Sequence, residues 1–396
     1  MALKPRHVGP DGLAAAILLG FLGTAGLFYV NIMAAIVDGL VGGLGLSDGA
    51  AGRIGSANIY GAAIGGLIAV FLVKRLNWRL LSAACLIGLI TIDLASIAIR
   101  SADLLLMVRL LHGIIGGLSV GTGLAVIARN ANPDKGFGML LFVQFGLGGL
   151  GVLTLPNLVP HYGTAPLFLA LAAFSAVTLA MLPFLPDYPP RAPRVAAEVD
   201  GPVAWTPFML AMLAVFFFQA ANMALLAYMI RLGVEAGLDR GHVSGALGIA
   251  TWIALIGPLL VIWLGKSRGR FGPMVCAMLL TLGGNALFHF SHNELIFLLA
   301  NCLTGITWGF IIPYLFGVAA EFDAAGRTAA LAGVVSKLGL ASGPAAAAWL
   351  LDAGGDFHAL INWALGGLAL SMLLMLIPAW QLDRRYPIAK TGPMKA

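Results

Sequence analysis

A lone cation, Lys337, stands in the apolar stretch from Thr328 to Leu351, which holds no acidic residue. An uncompensated ammonium in hydrocarbon costs about 2.5–3.5 kcal/mol even on lenient insertion scales, so a Lys there asks for an anion. The plainer alternative is a Lys that snorkels to an interface or finds an acidic neighbour. Three more ionisable residues fall inside apolar stretches: Asp93, Arg109 and, three residues on, His112. Residues three apart share a helix face. Since His titrates near neutrality and burial raises an Asp, the three at one level make a proton-responsive cluster. The competing reading has Arg109 bracing backbone carbonyls, Asp93 as its counter-ion and His112 as a packed ring. Around the middle of the apolar stretches lie Tyr29, Asn31, Tyr60, Gln144, Gln219, Asn222, Trp252, Trp308 and Tyr314. A few polar groups among aromatics suit a small amphipathic ligand, though each also serves as packing.

Two motifs imitate enzymes. Gly117-Leu118-Ser119-Val120-Gly121 has the spacing of a nucleophile elbow, and Gly146 to Gly151 that of a dinucleotide fingerprint. Both chemistries need a strand, a turn and a helix, whereas these segments sit inside long apolar runs. Small residues that let helices approach closely are the better account, and an enzyme is not expected. The histidines are scattered without metal spacing, so neither a metal nor a cofactor is expected. Cys85, Cys276 and Cys302 lie in apolar runs and read as small core residues.

The elements that position these residues follow from composition. Of 396 residues 60% are hydrophobic and only 10% charged, a balance no soluble domain has. Twelve apolar runs can be marked at 12–36, 49–73, 79–99, 103–128, 137–160, 164–185, 205–230, 241–264, 273–291, 294–318, 328–351 and 359–381. Each of about 20 residues crosses roughly 30 Å of hydrocarbon as a helix. The division near His292 is the shortest. The first run is too long for a signal-peptide core and no cleavage site follows it, so it is expected to stay.

With both termini inside, seventeen Lys and Arg fall on the cytoplasmic side, and only Arg53, Arg100, Arg231 and Arg240 fall outside. That is the asymmetry of the positive-inside rule. It also accounts for the net charge of +6 through anionic headgroups, without nucleic acid. Asp38 and Arg53, near the outer rim, read as members of a rim salt bridge.

The proline-rich segment from Asp187 divides the chain into a six-helix bundle over residues 1–186, a cytoplasmic linker over 187–204 and a second bundle with a cytoplasmic tail over 205–396. The halves superpose at a constant offset of 192: Gly65 on Gly257, Lys74 on Lys266, Gly113 on Gly305, Gly117 on Gly309, Lys135 on Arg327 and Gly151 on Gly343. A parallel duplication places the substrate site between the halves near mid-membrane. At the same offset Asp93, Arg109 and His112 correspond to neutral Asn285, Asn301 and Thr304.

On these features the chain resembles the major facilitator superfamily over essentially its whole length. Gly45 to Gly52 looks like that family's entry to its second helix, and Arg109 with Gly113, Gly117 and Gly121 fits its fourth. Lys74-Arg75-Leu76-Asn77-Trp78-Arg79 matches the basic part of its best-known loop motif, but Lys74 stands where that motif has Asp and Asn77 where it has Gly. The second copy, Gly265 to Gly272, again has Lys at 266. The resemblance implies an all-α fold of twelve transmembrane helices in two pseudo-symmetric halves that rock in alternating access. With the usual Asp missing, Glu321 or Asp323 is expected to supply the carboxylate of a cytoplasmic gate with Lys74 and Arg75.

The resulting expectation is a monomeric, multi-pass transporter of a bacterial inner membrane, with lipids, protons and a small organic anion as its partners. The anion is a carboxylate with an apolar or aromatic body, held at Lys337, and protons act at Asp93, Arg109 and His112. The alternative is a proton-driven exporter of lipophilic drugs or metabolites; the fifth run lacks the adjacent Gly-Pro of exporters, which favours uptake.

The charge asymmetry makes topology the first test. Impermeant labelling of single cysteines should find both termini and residues 187–204 in the cytoplasm, with the loops near Asp48 and Asp239 outside. Termini on opposite faces would remove the twelve-helix arrangement.

Overall fold

In a computed structural model, which describes residues 7–130, 132–189, 204–264, 269–322 and 329–385, the apolar runs are helices and no strand occurs among the described residues. Hydrocarbon offers no partner to a backbone N–H or C=O, so a spanning segment must satisfy its own. The spans after the first are α4 (Asp48–Leu72), α5 (Trp78–Ser96), α6 (Ala102–Ile127), α7 (Pro133–Tyr162), α8 (Ala165–Met181), α9 (Trp205–Glu235), α10 (Arg240–Ile253) with α11 (Ile256–Leu264), α12 (Phe271–Ala286), α13 (Glu294–Glu321), α14 (Ala329–Asp352) and α15 (Phe357–Arg385). Among the described residues eleven spans are long and apolar enough to cross a membrane. Their starts are written in the sequence: Ser47, Asn77, Ser101, Asn132, Asp239 and Asn293 each accept a first-turn N–H with the side chain. The short division near His292 is a real break, with Asn293 as the cap of α13.

The first span departs from the expected continuous run over 12–36. It consists of α1 (Leu13–Thr24), α2 (Phe28–Asn31) and α3 (Met33–Leu44), and it ends where Gly45 turns at φ 67°. No proline causes the break. At the first joint Gly26 presses on the backbone of Gly116 so closely that a Cβ would collide with its carbonyl. The eighth span also breaks, between α10 and α11, because Pro258 cannot donate to the carbonyl of Ala254.

Both enzyme-like motifs are packing surfaces. In α6, a Cβ on Gly113 or Gly117 would strike the backbone of α4 at Asn58 or Ala62, and in α7 Gly149 and Gly151 lie against Trp252 and Ile32. The glycines bring backbones into contact, as the small-residue rule requires.

The halves meet along α4 with α14 and α7 with α10. At the end remote from the termini, the outer end on the expected orientation, three ion pairs cross between them. Asp38 pairs with Arg240, Asp48 with Arg231 at 2.9 Å, and Arg53 with Asp352. Asp38 and Arg53 therefore both belong to rim salt bridges, but across the seam and not with each other. Tyr228 adds a hydroxyl donated to the Asp48 carbonyl at 2.9 Å. Nearer the middle, Tyr60 and Ser342 share a hydrogen bond of 2.8 Å, and the Trp252 indole donates to the Gly146 carbonyl at 3.0 Å.

At the opposite end polar contacts tie each half to itself, in the second half with Arg270 Nη1 donating to the Gly317 carbonyl at 2.7 Å and the Phe271 N–H to Asp383 at 2.9 Å. Arg79 joins Asp187 at 3.1 Å and the Leu185 carbonyl at 2.6 Å. The Tyr188 hydroxyl, its pKa pushed up to about 12 by burial, stays a donor to the Pro10 carbonyl. Lys74 and Arg75 are exposed. Their expected gate partner Asp323 and the duplicated Lys266 and Arg327 lie outside the described residues, as do the side chain of Glu321 and the linker from residue 190 on.

The outer closure makes a stability prediction. Asp48→Asn and Arg231→Gln should each destabilise the protein in detergent, and the double variant should cost less than their sum by about 1 kcal/mol, as for a partly exposed pair. Strict additivity in thermal unfolding would mean that the pair is not made.

Candidate functional site

Two sites emerge from the helices, one sealed and one open. The sealed one assembles Asp93 of α5 with Arg109 and His112 of α6, all buried. Arg109 Nη1 donates to Asp93 Oδ1 at 2.7 Å, while Nη2 donates to Ser96 Oγ and to the Ile92 carbonyl. The Tyr29 and Phe168 rings face the guanidinium at 5.9 and 5.0 Å. Asn58 Nδ2 lies 2.8 Å from His112 Nδ1, and an amide N–H can only donate. His112 therefore accepts at Nδ1, carries its proton at Nε2 and directs it to the Asp93 carboxylate, 3.3 Å away. Burying two charges costs several kcal/mol per ion unless geometry and added hydrogen bonds compensate; here both are supplied. Two buried atoms keep spare capacity, Arg109 Nε and the Tyr29 hydroxyl, neither of which has a partner.

The open site is a cavity of about 220 Å³ between the halves. Asn31 and Gln144 line it from the first half; Asn222, Thr251, Asn285, Asn301, Thr304 and Trp308 line it from the second. Asn31 and Gln144 brace one another, Gln144 Nε2 donating to Asn31 Oδ1 at 3.0 Å. Asn222, Asn285 and Asn301 each spend one N–H on the carbonyl four residues back, at 2.8 Å. That orients each amide and leaves its oxygen and second N–H for the cavity. Trp308 is aimed by its indole N–H, donated to Gln219 Oε1 at 3.0 Å, and Gln219 is held by Ser336 at 2.8 Å.

Of the residues expected in the pocket, Asn31, Gln144, Asn222 and Trp308 line it, and Gln219 stands one layer behind. The others are elsewhere. Tyr29 packs on Arg109 and His112, Tyr60 and Trp252 fasten the seam, and Tyr314 stacks on Phe310 at 4.9 Å. Lys337 is half-buried on α14 and makes no ion pair or hydrogen bond among the described residues. It does not line the cavity. Its ammonium points across the seam at Gly66 of α4, 2.6 Å from where a Cβ there would sit, while Leu340, one turn along, does line the cavity.

Sequence reasoning missed Thr251, Asn285, Asn301 and Thr304. A signal was present at the offset of 192, where the last three replace the charged cluster of the first half. The same frame that holds buried charge on one side holds a polar cavity on the other. Among the described residues no group of three or more His, Cys, Asp or Glu could hold a metal ion.

Comparison with known proteins agrees with this architecture. The Major Facilitator Superfamily model matches residues 15–344, so the chain belongs to that superfamily, a family of transporters and not of enzymes. Among curated proteins it is similar to the gallate transporter of Pseudomonas putida, 30% identical over 181 residues, or 45% of this chain. The match spans only 39% of that relative. Among solved structures it resembles the D-xylose-proton symporter, with a TM-score of 0.71 at 17% identity over 92% of this chain and 96% of that one. The nucleoside transporter NupG gives 0.70 at 14% identity over 93% and 100%.

The Gln219–Trp308 contact yields an asymmetric prediction. Gln219→Leu leaves the partly buried indole N–H of Trp308 unpaired and should cost about 1 kcal/mol in unfolding experiments. Trp308→Phe removes that donor, so much of the loss should vanish when Gln219→Leu is made in its background. An undiminished loss there would assign the cost of Gln219→Leu to something other than this hydrogen bond.

Proposed function

We propose that this member of the superfamily is a proton-coupled secondary transporter of a small organic carboxylate with an aromatic or apolar body. The observation that carries the reading is the cavity itself: lined by both halves, edged by oriented amides and an aimed indole, and closed at the outer end by three cross-seam ion pairs. At about 220 Å³ it is smaller than the roughly 300–1,000 Å³ of drug-sized pockets, which favours a compact solute over a bulky drug. The amides suit hydroxyl or carboxyl oxygens, and Lys337, near the seam with no carboxylate partner among the described residues, is the cation available to the anion as it passes. The partial similarity to a gallate transporter supports an aromatic acid as the first class to test.

In this reading the halves, joined at the outer end, expose the cavity toward the cytoplasm, and separation of the three ion pairs opens it outward. Lys74 and Arg75, with Glu321 or Asp323, would close the opposite end. Protons act at Asp93, with His112 tuning it and Arg109 as its counter-charge. A proton that bound both access states equally would shift nothing, so protonation must favour one of them. Tyr29, between the cluster and the adjacent cavity-lining Val30 and Asn31, is the side chain through which the two sites sense each other.

Proteoliposomes with an imposed pH gradient and a panel of labelled hydroxybenzoates and aliphatic carboxylates test this directly. Gradient-driven accumulation is expected for at least one aromatic carboxylate. Asp93→Asn should abolish accumulation yet spare downhill exchange, and His112→Gln should move the pH optimum. Lys337→Ala should weaken uptake at least tenfold, about 1.4 kcal/mol, with thermal stability near that of the wild type. Normal accumulation by Asp93→Asn would make the cluster structural, and unchanged substrate affinity in Lys337→Ala would remove the anion role.

A further inference from the structure

A second cavity, also about 220 Å³, opens at the outer end of the C-terminal half, away from the seam between the halves. Glu235 at the end of α9, His289 and His292 between α12 and α13, and Asp356 and His358 at the start of α15 line it. Within it His289 Nδ1 lies 2.9 Å from His358 Nδ1, with the ring planes 6° apart and the ring centres 5.2 Å apart. Nitrogens so much closer than the centres, in nearly parallel planes, put the rings edge to edge, so an N–H of one points at the lone pair of the other.

Which ring donates follows from the next contact. His289 Nε2 lies 3.0 Å from Asn362 Oδ1, an oxygen that only accepts, so Nε2 carries a proton. A neutral His289 then has a bare Nδ1, and His358 must donate to it. The charged groups around the pair are accounted for. Glu235 and Asp356 share its cavity, and Asp356 also caps α15 through the Ala359 N–H at 2.7 Å. His292 lines the same cavity, Arg231 on α9 is committed to Asp48, and Glu294 at the start of α13 lies 3.7 Å from His242.

We infer that His289 and His358 form a proton-binding site on the outer face, which takes up one proton without separating and parts when it takes up a second. The first proton converts His289 to an imidazolium that donates at both nitrogens, to Asn362 and to His358, while His358 moves its own proton to Nε2 and becomes the acceptor. The contact is then charge-assisted and stronger. A second proton leaves hydrogens on both Nδ1 atoms, facing one another, and the bond is lost.

The site has a route inward. Phe288 precedes His289 in the turn Leu287–Phe290, is buried, and lines both this cavity and the central one. Its ring rests edge-on against Phe297 at 6.2 Å. Joined, the histidines hold this turn to α15; parted, they release the wall between the two cavities.

Histidine nitrogen resonances of the full chain in lipid nanodiscs, followed from mildly alkaline to mildly acidic pH, test the inference without any transport assay, so it stands or falls apart from the substrate and coupling proposed above. The wild type should show two steps for the pair, separated by more than about one pH unit. His289→Gln and His358→Gln should each leave a single step; either variant suffices if the other does not fold. Two independent, coincident titrations in the wild type would overturn the pairing. With 4-fluorophenylalanine at position 288, the fluorine resonance should move with the second step and become indifferent to it in His358→Gln. A resonance that ignores the second step in otherwise wild-type protein would overturn the link to the cavity wall.

Discussion

A polar group left without a partner in hydrocarbon costs more than almost any contact in this molecule returns, and the structure is organised by that cost. It makes every span a helix and places a side-chain cap at the start of many of them. Inside the bundle it turns Asn222, Asn285 and Asn301 back onto their own helices, so that each amide reaches the cavity already oriented. It also explains why Arg109, the largest fully buried side chain, is wrapped by a carboxylate, a hydroxyl, a carbonyl and two rings. Lys337 departs from this rule, as Arg109 Nε and the Tyr29 hydroxyl do on a smaller scale: nothing among the described residues neutralises its charge, and for that reason it matters to the functional reading.

The two halves solve the same packing problem with different chemistry. At equivalent positions one half has Asp93, Arg109 and His112, and the other has Asn285, Asn301 and Thr304. Tyr29, which covers the charged cluster, corresponds to Ala221, and Asn58, which fixes the His112 tautomer, corresponds to Ala250. Large side chains fill the first half at this level, so it is closed and ionic. Small and neutral ones leave the second half with room, and the central cavity extends into it. This divergence leaves a sealed ionic cluster in one half and an open, neutral cavity reaching into the other, within one frame. The seam between the halves is close, because Gly52 of α4 and Gly149 of α7 lie against Tyr228 and Trp252 of the other half and because the paired charges at the outer rim lie on opposite halves.

The sequence by itself determined the membrane class, the twelve spans, the duplicated frame, the enzyme-like motifs as packing and the meeting of Asp93, Arg109 and His112. Each of these rests on local or periodic signals: apolar length, caps, a constant offset, and one-turn spacing at matched depth. Only tertiary structure decided the break of the first span, where Gly26 lies against the backbone of Gly116 on α6, far away in the chain. It alone separated Asn31, Gln144, Asn222 and Trp308, which face the cavity, from Tyr29, Trp252 and Tyr314, which do not, since equal depth leaves the direction around the helix open. For the same reason it turned Lys337 toward Gly66, paired Asp38 with Arg240 and Arg53 with Asp352 across the seam, and brought His289 to His358. Depth in a membrane is a one-dimensional property that a chain reveals in its order; azimuth and partner are set by how neighbouring helices pack, and that belongs to the folded whole.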